Sequence, residues 1–169
     1  MKNVYFIGFR GVGKTTISKL VAKELGKKYI SIDNLIEKKE DETVFQIIEK
    51  KGWNHFRKIE SEVLAKLVDK ENYIIDCGGG IIEKKKNRNI LKKNICVYLT
   101  SNIKIIEKRI QKSKNRVRFF PNLKLNEEIK ILIQQRTPYY EKLSTFKIST
   151  STKTKNEVVK SILNFIQQI

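Results

Sequence analysis

The sequence predicts an α/β fold of three layers, a five-stranded parallel sheet with helices on both faces. Short apolar runs alternate with helical periodicities from one end of the chain to the other. Several runs stop at a glycine cluster or an acidic residue, the pattern of strands whose carboxyl ends form a ligand-bearing edge. No stretch rich in Pro, Gly or Ser divides the 169 residues, so 1–169 reads as one domain.

The elements follow in order. Residues 4–7 (Val-Tyr-Phe-Ile) form the first strand. Ile17, Leu20, Val21 and Leu25 share one face of a helix that Gly26 ends. Residues 29–32 read as the second strand, with Asp33 or Asn34 placed to cap the next helix. Thr43 and Gln46 have capping-box spacing and start a helix carrying Ile47 and Ile48. A longer helix is expected from about 53 to 68 and a third strand over 73–75, followed by glycines. Residues 95–99 are the fourth strand, and Ile103, Ile106 and Ile110 mark a helix after it. The basic segment 112–123 lacks an apolar period and reads as a mobile loop. A helix over 127–135, a fifth strand over 146–148 and a last helix faced by Val158, Ile162, Phe165 and Ile169 complete the chain.

Composition narrows the class of function. With 40% hydrophobic and 32% charged residues, the chain is ordinary for a globular protein, and no apolar run is long enough to span a bilayer. Residues 1–7 lack a signal-peptide pattern, so a cytoplasmic location and no membrane partner are expected. Cys77 and Cys96 make neither a disulfide framework nor a zinc spacing, and Cys96 reads as a small core residue. The net charge of +18 comes from lysines spread along the whole chain, not from one arm or aromatic-interleaved patch. That spread favours solvated faces, with some contribution to a cleft for anions, over a nucleic-acid surface.

The chemistry is concentrated at strand ends. Gly8-Phe9-Arg10-Gly11-Val12-Gly13-Lys14-Thr15 fits G-x-x-x-x-G-K-[ST], with a strand before it and a helix after. In such a P-loop the backbone N–H groups turn toward phosphates and the helix N-terminus adds partial positive charge. Lys14 then serves the β- and γ-phosphates, and the Thr15 hydroxyl can ligate Mg²⁺. These residues predict a P-loop NTPase fold that uses ATP with Mg²⁺, with Arg10 and Thr16 joining the loop in holding the nucleotide.

Other residues are ambiguous when taken singly. Gly78-Gly79-Gly80 permits close backbone approach to a ligand or is simply a turn. Asp76, ending the strand before it, is placed where P-loop enzymes hold the Mg²⁺ shell. Asp33 is a helix cap or a ligand at a strand end. Arg57 and Arg136 are solvated helix residues or carboxylate grips, the latter suiting a permanently charged bidentate fork. His55 reads as a surface residue, Trp53 as core or lid-hinge packing, and Cys77 lacks a paired base for a nucleophilic role.

As an ordered set these residues resemble the shikimate kinase family over nearly the whole chain. The match runs through Gly8 to Thr15, Asp33, Phe56-Arg57 with Glu60, Gly78 to Gly80, Arg116, and Arg136 with Tyr140-Glu141. The resemblance implies phosphoryl transfer from ATP to the 3-hydroxyl of shikimate. It makes Asp33 the carboxylate on the shikimate hydroxyls, Arg57 and Arg136 the grip on its carboxylate, and Gly78, Gly79 and Gly80 the backbone against its ring. Lys14 and Arg116 would stabilise the transferring phosphoryl group, with Arg116 or Arg118 closing on ATP from a lid over about 112–124. Residues of about 33–62 would form the substrate-binding helical segment. A monomer with no nucleic-acid partner is expected.

Two departures stand out. The family's Asp-x-Asp is Ser31-Ile32-Asp33 here, so a hydroxyl replaces an acid that helps hold Mg²⁺, and Asp76 is expected to supply the missing charge. The lid reads Arg116-Val117-Arg118 where many relatives have Arg-Pro. Two other readings compete: a kinase of similar build for gluconate or a nucleotide, and a relative that keeps only nucleotide or nucleic-acid binding.

Overall fold

The computed structural model describes residues 2–112 and 117–169. Five parallel strands, β1 (Val4–Ile7), β2 (Lys28–Ser31), β3 (Tyr73–Asp76), β4 (Ile95–Thr100) and β5 (Phe146–Ser149), pair in the order β2-β3-β1-β4-β5. The helices are α1 (Lys14–Glu24), α2 (Ile32–Glu40), α3 (Val44–Ala65), α4 (Lys85–Leu91), α5 (Ile103–Gln111), α6 (Leu125–Leu143) and α7 (Lys155–Gln167).

The period of two in β1 explains the layers, since successive side chains point to opposite faces. Tyr5 and Ile7 join a core under α2, α3 and α4, while Val4 and Phe6 join a second core under α1, α5 and α7. All four are fully buried, so the central strand is apolar throughout, as a strand covered on both faces must be. Buried side chains of α6 enter both cores, Ile129 and Leu132 on one side and Tyr140 and Leu143 on the other.

The structure corrects several element boundaries. β2 ends at Ser31, and Ser31, not Asp33 or Asn34, caps α2: its hydroxyl accepts from the Asn34 N–H at 3.3 Å. The capping box of Thr43 and Gln46 is present, but its helix and the one expected from 53 form a single element, α3, broken at Gly52 (φ 78°, ψ 168°). The break turns the chain just before Trp53 and aims Phe56 and Arg57 inward. Helix α6 runs through Pro138 to Leu143, well past 135, because burial of Tyr140 and Leu143 outweighs the hydrogen bond the proline removes. Helix α4 has no counterpart in the sequence reading; its single turn or two carries too few apolar positions to show a period. Among the described residues no helix is long and apolar enough to cross a membrane.

Candidate active site

The carboxyl ends of β1, β3 and β2 meet at one edge, and two cavities of about 450 Å³ each open there. The first follows the loop from β1 to α1. Gly8 has φ 137°, and a Cβ there would overlap the Leu99 carbonyl oxygen, so only glycine allows the chain to leave β1 in this direction. Residues 10–16 line the cavity, with Arg109, Thr150 and Lys153 at its far wall. Lys14 is buried, and its ammonium donates to the carbonyls of Gly8 at 2.8 Å and Phe9 at 3.0 Å.

Behind the loop, the Thr15 hydroxyl donates to Asp76 Oδ2 at 2.6 Å, and the Tyr29 hydroxyl donates to the same oxygen at 3.2 Å. The parallel register sets Ser31 beside Asp76 across β2 and β3. Ser31 spends its hydroxyl on the α2 cap, so Asp76 is the carboxylate at this point of the edge. Burial, with the Asp76 charge adding to it, pushes the Tyr29 phenol up and keeps it a donor.

The second cavity lies between α2, α3 and the glycine turn after β3. Arg57 and Arg136 line it, each about 5% exposed. Arg57 Nη1 donates to both Glu60 oxygens at 2.9 Å, and its Nε donates to Glu83 Oε2 at 2.9 Å. Arg136 Nη2 donates to Glu83 Oε1 at 2.5 Å. Gly80 packs so closely on Arg57 that a Cβ would overlap the guanidinium. The Tyr140 hydroxyl donates to the Gly79 carbonyl and ties the glycine turn to α6. Across the mouth, Phe119 stacks on Trp53 with ring centroids 4.0 Å apart and lies under the Arg136 guanidinium. Trp53 is thus both packing and cavity wall.

The cavities share Arg10, Asp33, Gly78 and Gly79. Asp33 Oδ1 is buried with no hydrogen-bond partner among the described residues. Burial, reinforced by Asp76, pushes its carboxyl above the usual range. Glu60 is pushed up to about 7, chiefly by burial, against the pull of Arg57 and with Asp33 adding to the push. Burial works against the Arg57 charge, but Glu60 and Glu83 more than offset it, so Arg57 stays cationic. Burial likewise raises the Cys77 thiol well above its ordinary value, which leaves it inert in the wall of the first cavity.

Arg118 lines neither cavity. Its Nε donates to Glu128 Oε2 at 2.6 Å and its Nη2 to the Leu123 carbonyl at 2.7 Å. Arg10 also pairs with Glu128, and its Nη1 reaches the Val117 carbonyl at 2.9 Å, so the P-loop and Arg118 share one buried acid. Burial would raise Glu128, but Arg118, the Phe120 N–H and Arg10 hold it below the usual range. Arg116 lies outside the described residues.

The shikimate kinase family model matches residues 10–167. The chain belongs to the shikimate kinase family. A shikimate kinase of Dehalococcoides mccartyi is 37% identical over 161 residues, covering 95% of this chain and 90% of that protein. One of Thermodesulfovibrio yellowstonii is 36% identical over 173 residues, covering 100% of this chain and 97% of that protein. The solved structure of shikimate kinase from Acinetobacter baumannii in complex with shikimate superposes with a TM-score of 0.92 at 30% identity, covering 99% of this chain and 94% of that one. The fold is that of the P-loop NTPases, and membership makes the chain an ATP-dependent kinase.

The structure thus gathers Lys14, Thr15, Asp33, Arg57, Asp76, Gly78 to Gly80 and Arg136 around two joined cavities. The sequence reading missed Glu83, Glu128, Arg109 and Phe119. Glu128 had a signal: it lies four residues before Leu132, eight before Arg136 and twelve before Tyr140, an acid on the buried stripe of α6. Glu83 had a weaker one, as the acid between the glycine turn and Lys84-Lys85-Lys86.

Proposed function

We propose that this chain transfers the γ-phosphoryl group of ATP to the 3-hydroxyl of shikimate, giving shikimate 3-phosphate and ADP, a step of chorismate and aromatic amino-acid biosynthesis. The observation that carries this reading is the pair of cavities joined at Asp33, with a phosphate loop on one side and two buried arginines on the other. An acid that is also an alcohol suits that arrangement. Its carboxylate goes to Arg57 and Arg136 and its hydroxyls to Asp33, while the glycine turn lets the ring approach the backbone. Asp33 holds the attacking hydroxyl and takes its proton; its place in the lining of both cavities supports this. Lys14 exchanges its carbonyl partners for phosphate oxygens, and transfer proceeds in line, driven by positioning and charge stabilisation.

Mg²⁺ accompanies ATP in this reading. Among the described residues no three His, Cys, Asp or Glu side chains cluster as a metal site, which fits an ion that keeps waters and substrate phosphates as most of its ligands. Thr15 and Asp76, two hard oxygen donors in contact beside the phosphate loop, would hold it, and it would neutralise charge on the β- and γ-phosphates. With Ser31 engaged as a cap, Asp76 carries the negative charge. Asp76→Asn should therefore weaken divalent-ion binding about 10–100-fold, read by Mn²⁺ titration with ATP as well as by turnover. Unchanged ion affinity would reject this role.

The segment 33–62 serves as the substrate-binding unit and residues 112–124 as the lid, with Arg118 steadying the lid through Glu128 and the finger left to Arg116. The enzyme acts as a monomer in the cytoplasm, where ATP is supplied, without nucleic-acid or membrane partners; basic residues spread along the chain, not gathered in one arm, argue against a dedicated nucleic-acid surface. The test is ADP release from Mg²⁺-ATP with and without shikimate. Strong stimulation is expected. ATP binding with no stimulation would overturn the reading in favour of another acceptor.

A further inference from the structure

Glu83 touches both arginines of the second cavity without lining that cavity. Its carboxylate stands in a neighbouring groove of about 490 Å³, walled by Trp53, Phe119, Phe120 and Tyr139. We propose that Glu83 is a positioning residue for the substrate carboxylate: it brackets Arg57 and Arg136 from behind and fixes the spacing and aim of the two guanidinium groups. The proposal rests on the function given above.

The bracket has a physical reason. Two guanidinium groups buried side by side repel in a medium of low dielectric and would splay without a shared counter-charge. Glu83 supplies it: Oε2 accepts from Arg57 Nε at 2.9 Å, and Oε1 is shared, accepting from Arg136 Nη2 at 2.5 Å and from Arg57 Nη2 at 3.4 Å. The two arginines depend on it unequally. Glu60 also holds Arg57, and Gly80 packs against it. For Arg136, Glu83 is the acidic partner found among the described residues. Glu83 is itself anchored through its backbone: its N–H donates to the Gly80 carbonyl at 2.9 Å, and Arg88 Nη1 donates to its carbonyl at 2.8 Å. The glycine turn and the arginine bracket are therefore tied to each other by hydrogen bonds, so ring and carboxylate of the substrate would be referenced to the same backbone.

The experiment compares full-length Glu83→Ala and Glu83→Gln with the wild type in steady-state kinetics. Glu83→Ala should raise KM for shikimate about tenfold, the scale of a small loss of alignment, while kcat and KM for ATP stay within about twofold. Glu83→Gln keeps one acceptor and should fall between, and it also serves if the alanine variant folds poorly. The carboxamide of shikimate, used as a competitive inhibitor, should show the same inhibition constant with all three proteins because it lacks the carboxylate. A lowered KM for shikimate in Glu83→Ala would mean that Glu83 competes with the substrate and would overturn the proposal. An unchanged KM would overturn it too, as would parallel losses for ATP, shikimate and the amide, which mark a general structural role. No shikimate turnover by the wild type overturns this proposal together with the proposed function. A working wild type with a flat Glu83 series overturns the bracket alone.

Discussion

The two ends of the candidate active site are built from different materials. The nucleotide end is backbone: consecutive residues 8–15, a helix N-terminus at Lys14, and glycines at 8, 11 and 13 with positive φ. The acid end is side chain: Arg57, Glu60, Glu83 and Arg136 come from α3, the turn after β3 and α6, and are held by mutual charge. A backbone site is preorganised as soon as its loop folds, and it is vulnerable mainly to steric change. A cluster of buried charges is preorganised only while every partner is present, because removing one leaves another uncompensated.

That contrast can be tested by mutation, and the largest effect is expected at the acid end. Arg136→Ala should cost about 2–5 kcal/mol in kcat/KM for shikimate with KM for ATP unchanged, measured by coupled ADP release. Equal losses for both substrates would break the distinction between the ends. The next effect concerns Glu60. Its folded value of about 7 lies above the ordinary 4.5, so the native state binds the extra proton and stability should fall as pH rises from about 4.5 to 7. Glu60→Gln should remove that slope, worth up to about 3 kcal/mol across the window, in urea denaturation followed at a series of pH values. A slope equal to the wild type's would place the titration elsewhere.

At the nucleotide end, Gly8→Ala forces a Cβ into the Leu99 carbonyl at φ 137°. It should cost about 1–3 kcal/mol of strain and weaken ATP binding, seen by calorimetry, while leaving the arginine cluster intact. Phe119→Ala should have the smallest effect. Losing the stack on Trp53 should cost about 1 kcal/mol and raise KM for shikimate a few-fold, without altering ATP affinity.

The contrast also explains what could be read early. Gly8 to Thr15 is legible because its function needs consecutive residues. Asp33 and Asp76 are legible because apolar runs precede them and strand ends bear ligands. Arg57 and Arg136 are ambiguous singly, since a buried arginine and a solvated one look alike until the partner acid is known. Glu83 and Glu128 escaped because their weak signals, a place after the glycine turn and one on the stripe of α6, do not reveal that their partners lie far along the chain. The helix boundaries that moved did so for packing reasons: Gly52 turns α3 at a point no period reveals, and α6 passes Pro138 because Tyr140 has a core to enter.

The sequence by itself determined the alternation of strands and helices, the phosphate loop, and the residue types available for the chemistry, because these depend on neighbours in the chain and on the periods of two and 3.6. The tertiary structure decided which residues became partners. The parallel register set Ser31 beside Asp76, α6 delivered Arg136 to Glu83, and the segment before α6 brought Arg118 to the acid already paired with Arg10. Each pairing depends on the three-dimensional arrangement of chain-distant segments, and burial at that meeting point, with its low dielectric, turns an ordinary charge into part of a site.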